Sequence, residues 1–153
     1  MKMVIQRVKY ASVTVEGNII GKIGTGLLIL SGYTHADIHT DLEKWVKKVI
    51  QMRIFNDEQG KMNLSVQDIN GDILIVSQFT LYADTRKGNR PSYINAAPPD
   101  IAIPLYEKTI QLFEKNLNKP IQKGIFGADM KVELLNDGPV TVILDSTHTT
   151  PDS

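Results

Sequence analysis

The chain has 153 residues, 42% of them hydrophobic, enough for one domain with a core of its own, and its lack of cysteine excludes disulfides, thiol nucleophiles and zinc–thiolate sites. That lack also fits a reducing cytoplasm. Seventeen basic against seventeen acidic side chains leave a formal charge of zero, which argues against a non-specific binder of long nucleic acid.

From 3 to 33 apolar and β-branched residues alternate, interrupted by Glu16-Gly17-Asn18 and Gly24-Thr25-Gly26, which read as hairpin turns between three or four antiparallel strands. The opening Met1-Lys2-Met3-Val4-Ile5-Gln6-Arg7 runs straight into this alternation and does not resemble a signal peptide. The longest apolar stretches, 26–33 and 73–76, are too short to span a bilayer, so a cytoplasmic protein without a membrane partner is expected. Over 37–52 the period becomes helical. Leu42, Trp45, Val46, Val49 and Ile50 form one face with Trp45 inward, and Asp37 or Thr40 is the expected cap. A turn at Asn56-Asp57-Glu58-Gln59-Gly60 follows, and then Gly71-Asp72 leads into the strand 73–76, which ends on Ser77-Gln78-Phe79-Thr80.

The stretch 82–99 is long, polar and proline-containing, which marks it as functional or mobile rather than a mere connection. It holds the one basic cluster, Arg86, Lys87 and Arg90, readable as a solvated loop or as a phosphate site. Pro98-Pro99-Asp100 opens a second helix with the face Leu105, Tyr106, Thr109, Leu112, Phe113 and Leu117, stopped by 118–120. Two last strands, 131–135 and 140–144, are expected to be joined by a tight Asn136-Asp137-Gly138-Pro139 turn, and 146–153 to be disordered. The expected fold is α+β: antiparallel β-sheets curled into a barrel-like core with two covering helices, the domain filling 1–146 and the tail 147–153.

The chemistry is sparse. His35, His39 and His148 lie near expected helix ends or in the tail without metal-ligand company, so neither a metal nor a cofactor is expected. Ser77 lacks the Gly-x-Ser-x-Gly elbow of hydrolases. Neither Ser77 nor Thr80 has an expected histidine or lysine partner, so each reads as a weak nucleophile or as a strand-end hydroxyl bonded to the backbone. Gly138-Pro139 reads as a turn with freedom at the glycine and one donor missing at the proline, able to aim carbonyl oxygens outward. Both segments sit where a strand meets a turn, the usual place for a scaffold to present a site.

Taken together, the segments carry more than each does singly. The chain resembles the D-aminoacyl-tRNA deacylase (D-tyrosyl-tRNA deacylase) family through Val4-Ile5-Gln6-Arg7-Val8, Gly60-Lys61-Met62-Asn63-Leu64-Ser65-Val66 and Val76-Ser77-Gln78-Phe79-Thr80-Leu81-Tyr82-Ala83-Asp84. Lys87-Gly88-Asn89-Arg90-Pro91-Ser92, Gly124-Ile125-Phe126-Gly127-Ala128-Asp129-Met130 and Asn136-Asp137-Gly138-Pro139-Val140-Thr141 extend the resemblance to about Ser146. Tyr93 stands where the family often has phenylalanine. A related subgroup tuned to L-alanine carries proline in place of Ser77 and a trans Gly-Pro bond, so Ser77 favours the D-selective group.

The resemblance implies a cytoplasmic homodimer that binds tRNA and hydrolyses the ester between a D-amino acid and the terminal adenosine. It implies a cis Gly138–Pro139 bond whose turn enters the partner's pocket, holds the substrate α-ammonium and crowds the side chain of an L-residue. Glycyl-tRNA, including glycine mischarged on tRNA-Ala, would then be accepted. Backbone N–H groups around Phe79 and Thr80 would hold the oxyanion, and a ribose hydroxyl of the RNA would help activate water. Ser77 and Gln78 would position the adenosine, Phe126 and Met130 would lie near its base, and Arg7 would brace the Gly-Pro loop. Thr80 as a covalent nucleophile ranks second for want of a base. Two other classes stay open: a nucleic-acid-binding module without catalysis, and a small-molecule esterase using Ser77 or Thr80.

Overall fold

A computed structural model describes residues 1–148. β1 (Lys2–Val15) turns through Glu16 and Gly17, both at positive φ, into β2 (Asn18–Ile23), and β3 (Gly26–Gly32) follows. Next come a 3₁₀ turn His35–His39, α1 (Leu42–Gln51), β4 (Phe55–Asn56), β5 (Met62–Leu64), β6 (Asp72–Ser77) and a second 3₁₀ turn, Phe79–Tyr82. α2 (Pro99–Leu117), β7 (Gln122–Lys123) and β8 (Lys131–Asp145) complete the order. Among the described residues no helix is long and apolar enough to cross a membrane.

β1 is long enough to serve three partners. One edge carries β3 along 2–8 and β2 along 11–15, while the other pairs antiparallel with β8 from Lys2 to Thr14. The sheet continues from β3 to β6 to β7, and Lys22 of β2 donates its N–H to the Gln122 side chain of β7, so the sheet curls almost closed. The expected α+β barrel with two helices is therefore present, but its strands are not all antiparallel: β3–β6 and β6–β7 run parallel. Parallel neighbours need long crossovers, and the β3–β6 connection is one, containing α1 and the small β4–β5 hairpin.

Strand alternation divides the core in two. Leu27, Ile29, Ile73 and Ile75 face the helices and pack with Trp45, Val46, Val49, Tyr106 and Phe113. Leu28, Leu74 and Val76 face the barrel interior with Val8, Ala11 and Val13. Burial on both faces explains why β3 and β6 read as unbroken apolar runs.

The segment 37–52 is two elements rather than one helix. Asp37, 2% exposed, ties the 3₁₀ turn by accepting from the Thr34 N–H at 2.7 Å, the Thr40 hydroxyl at 2.7 Å and the Met1 ammonium at 2.6 Å. The cap of α1 is neither Asp37 nor Thr40 but Asp41, whose carboxylate accepts from Lys44 N–H. α2 starts and stops as expected, with Asn118 in the left-handed region at its end. Ala102 and Ile110 join its buried face, while Leu105 and Leu117 are only partly buried.

The last two expected strands are one. β8 pairs with β1 on both sides of Gly138-Pro139, and the ladder merely shifts register there, so the segment is a bulge in a strand and not a hairpin turn. Beyond it Ser146 N–H bonds to the Met1 carbonyl and Thr147 folds back on the Asp145 carboxylate. The rest of the expected tail, 149–153, lies outside the described residues.

A buried hydroxyl chain links the sheet to α2: Ser31 Oγ donates to Tyr33, Tyr33 to Thr109, and Thr109 to the Leu105 carbonyl. Burial pushes the Tyr33 phenol up to about 12, against the pull of these hydrogen bonds. Unfolded tyrosine releases its proton near pH 10, so between about pH 10 and 12 the unfolded chain is deprotonated while the folded one is not. Stability falls as pH rises through that window, by about 3 kcal/mol at most from this group. Urea titrations of the wild type and Tyr33→Phe are expected to show a shallower alkaline decline in the variant. The decline persists in part because burial also raises Tyr82 and Tyr106.

Candidate active site

The segment 77–80 is held by the end of β3. Gln78 N–H donates to the Ser31 carbonyl at 2.8 Å, and a Cβ built on Gly32 would lie 2.8 Å from the Gln78 carbonyl, so only glycine permits this approach. The chain leaves β6 and enters the 3₁₀ turn at once, with Gln78 at the cap position. A helical turn leaves its first N–H groups without intrahelical partners. Among the described residues neither Phe79 N–H nor Thr80 N–H donates to a protein acceptor. Thr80 Oγ1 accepts from the Gln78 side-chain amide, which cannot take its proton. Among the described residues the Ser77 hydroxyl has no hydrogen-bond partner, and neither it nor the Thr80 hydroxyl is bonded to a histidine or lysine.

A cavity of about 210 Å³ opens here, lined by Ser77, Gln78 and Phe79 on one side and by Phe126, Met130 and Val132 on the other. α2 holds its walls in register: the Tyr106 hydroxyl lies 3.2 Å from the Ile75 carbonyl and 3.1 Å from that of Gly124, and its ring packs on Phe126 at 6.0 Å. The structure thus brings together five of the residues singled out from the sequence. Thr80, Arg7, Gly138 and Pro139 do not line this cavity.

The other four have their own arrangement. Gly138–Pro139 is cis, as the resemblance implied, and both residues are exposed. Asn136 spans the bulge with its side chain, Oδ1 accepting from Val140 N–H at 2.8 Å and Nδ2 donating to Thr141 Oγ1 at 3.0 Å. Arg7, 7% exposed, donates through Nε to the Asp137 carbonyl at 2.8 Å and through Nη1 to the Ile54 carbonyl at 2.8 Å. This explains the Asn-Asp-Gly-Pro-Val-Thr spacing: Asn136 and Thr141 clamp the base of the bulge, and Gly138 takes φ 137°, a left-handed value that favours glycine. From Val132 to Asn136, where the bulge begins, is four residues of paired strand, roughly 13 Å, so the bulge stands along the strand from the cavity of its own chain.

The family model for D-Tyr-tRNA(Tyr) deacylase matches residues 4–145. The chain belongs to that family. Proteins named D-aminoacyl-tRNA deacylase from Flavobacterium johnsoniae and Parabacteroides distasonis are 60% and 56% identical, each over 95% of this chain and 97% of theirs. Among solved structures, a c-Myc DNA unwinding element binding protein is 43% identical with TM-score 0.89, covering 95% of this chain and 99% of that one. A probable eukaryotic D-amino acid tRNA deacylase superposes with TM-score 0.79 at 16% identity over 94% and 97% of the two chains, a likeness of fold. Members of the D-Tyr-tRNA(Tyr) deacylase family are ester hydrolases, and the motifs quoted from the sequence fall inside the matched span.

Sequence reasoning passed over Tyr106 as a support of the cavity and Ile54 as a brace of Arg7. Tyr106 sits on an apolar helix face, and Ile54 acts through its carbonyl, which no side chain reveals.

Proposed function

We propose that the protein hydrolyses D-aminoacyl-tRNA: water adds to the ester carbonyl and the bond to the terminal ribose breaks, giving free D-amino acid and tRNA. The observation that carries this reading is the cavity between Ser77-Gln78-Phe79 and Phe126/Met130, beside two N–H groups without protein acceptors. Such donors stabilise an oxyanion, and the carboxylate that lines the cavity, Asp129, is exposed and paired with Lys131. In this reading the terminal adenosine lies against Phe126 and Met130, Ser77 and Gln78 position its ribose, and the Phe79 and Thr80 N–H groups receive the oxyanion. The ribose hydroxyl beside the ester helps activate the water. The protein needs neither metal nor cofactor for this and works in the cytoplasm.

Chirality is judged across a homodimer. The exposed Gly138-Pro139 bulge, set along the strand from its own cavity and stiffened by Arg7 and Asn136, enters the cavity of the partner subunit. Its carbonyls hold the α-ammonium, and its bulk fills the space that an L-side chain would need. Glycine has no side chain to reject, so glycyl-tRNA, including glycine mischarged on tRNA-Ala, is also a substrate. Incubation with D-tyrosyl-, L-tyrosyl- and glycyl-tRNA is expected to release D-tyrosine and glycine and leave the L-ester intact. Equal hydrolysis of both tyrosyl esters would remove the chiral gate.

The solved relative named for binding a DNA element favours a second reading, a nucleic-acid-binding module without catalysis. Binding of all three tRNAs without hydrolysis of any is its distinguishing result.

A further inference from the structure

The loop 84–92 leaves the 3₁₀ turn that follows the cavity and is closed at its neck by paired hydrogen bonds, Asp84 N–H to the Ser92 carbonyl at 2.7 Å and Ser92 N–H to the Asp84 carbonyl at 2.9 Å. It carries three cations against one carboxylate in a chain whose formal charge is zero. Arg86 grips Asp84 with Nε at 2.9 Å and Nη2 at 2.7 Å, yet its side chain is 85% exposed. That grip holds the Asp84 carboxyl down at about 2. Lys87 and Arg90 are exposed, and among the described residues neither pairs with a carboxylate.

An aromatic surface joins this loop to the cavity. Tyr93, one residue past the neck, sets its ring edge-on to Phe79, with centroids 5.1 Å apart and planes at 75°. Phe79 lines the cavity, yet it is 54% exposed and Tyr93 42%. Unpaired cations next to exposed aromatic faces form the combination that holds single-stranded nucleic acid, phosphates on the cations and bases on the rings.

We propose that Lys87 and Arg90, with Tyr93 at the foot of their loop, bind the single-stranded 3′ end of the substrate RNA just upstream of its terminal adenosine. The proposal rests on the reading of the cavity as the adenosine site. In the proposed placement the 5′ phosphate of that adenosine lies on the Phe79 side of the cavity, toward the loop. The near-neutral remainder of the chain makes this a local grip on the strand rather than a general attraction.

The test compares the wild type with the double variant Lys87→Gln/Arg90→Gln on D-tyrosyl-tRNA and on D-tyrosyl-adenosine, which has no upstream phosphate. The variant is expected to lose about 10-fold in kcat/KM on the tRNA, and its dependence of log kcat/KM on log salt becomes shallower by about 1.4, for two single-strand phosphate contacts. Hydrolysis of the nucleoside ester stays within about twofold of wild type. Equal losses on both substrates, or an unchanged salt slope, overturn the proposal. Binding of an oligonucleotide that ends in CCA and carries no amino acid gives a readout independent of hydrolysis: a weakening of about 10-fold in the variant supports the loop, and equal affinity overturns it, even if the hydrolytic reading of the cavity fails.

Discussion

Replacing Gly138 with valine is expected to lower D-tyrosyl-tRNA hydrolysis by at least about 100-fold while the protein stays folded, the scale of loss that follows from misplacing a positioning element by an ångström. The structural ground is local. A Cβ on Gly138 would lie 2.9 Å from Arg7 Nη2 and 2.9 Å from Val140 Cγ2, so both side chains, or the bulge backbone itself, must shift. Either movement disturbs the bulge, because Arg7 holds the Asp137 carbonyl and Val140 is clamped by Asn136. The φ of 137° adds backbone strain for any branched residue, about 1–3 kcal/mol. That cost lies within the stability of an ordinary domain, and Gly138 is exposed, so Tm is expected to fall by some degrees without loss of the fold. Activity that survives with unchanged preference for the D-ester would separate the bulge from chiral selection and end the cross-subunit account.

Much of the scaffold is legible in the sequence where a period exposes it. Leu42, Trp45, Val46 and Val49 recur at helical spacing and are all buried. Strand direction is not legible. Leu27-Leu28-Ile29 and Ile73-Leu74-Ile75-Val76 are apolar on both faces, a pattern that parallel strands share with the core strands of sandwiches, so the run alone does not say which neighbour is parallel. The Gly138-Pro139 bulge is hidden for a related reason. Glycine and proline signal turns and bulges alike, and what makes this a bulge is continued pairing with β1, together with Arg7 from a distant part of the chain.

The candidate site divides in the same way. Ser77, Gln78, Phe79, Phe126 and Met130 are recovered around one cavity because they belong to motifs that stood out as units. Gly127, Ala128 and Asp129, of the same motif as Phe126 and Met130, also line it, and Asp129 brings a carboxylate that is 85% exposed and paired with Lys131 at 3.2 Å. Thr80 stands apart from the lining, and its hydroxyl accepts from the Gln78 side-chain amide. Asn136 and Thr141 clamp a loop that ordinary strand statistics would not suspect.

In the proposed reaction, backbone donors and the RNA perform the chemistry that side chains do not. The most direct measurement is single-turnover hydrolysis of D-tyrosine carried on the 3′ oxygen of a tRNA ending in 2′-deoxyadenosine, set beside Thr80→Ala acting on the ordinary substrate. Loss of the ribose hydroxyl is expected to slow hydrolysis by about 10²–10⁴-fold, the range for removal of a positioned proton acceptor. Thr80→Ala is expected to keep most of its activity, since the N–H of residue 80 survives the substitution. A deoxy substrate cleaved at the full rate, together with a collapse of Thr80→Ala, would contradict the account and make the Thr80 hydroxyl the nucleophile.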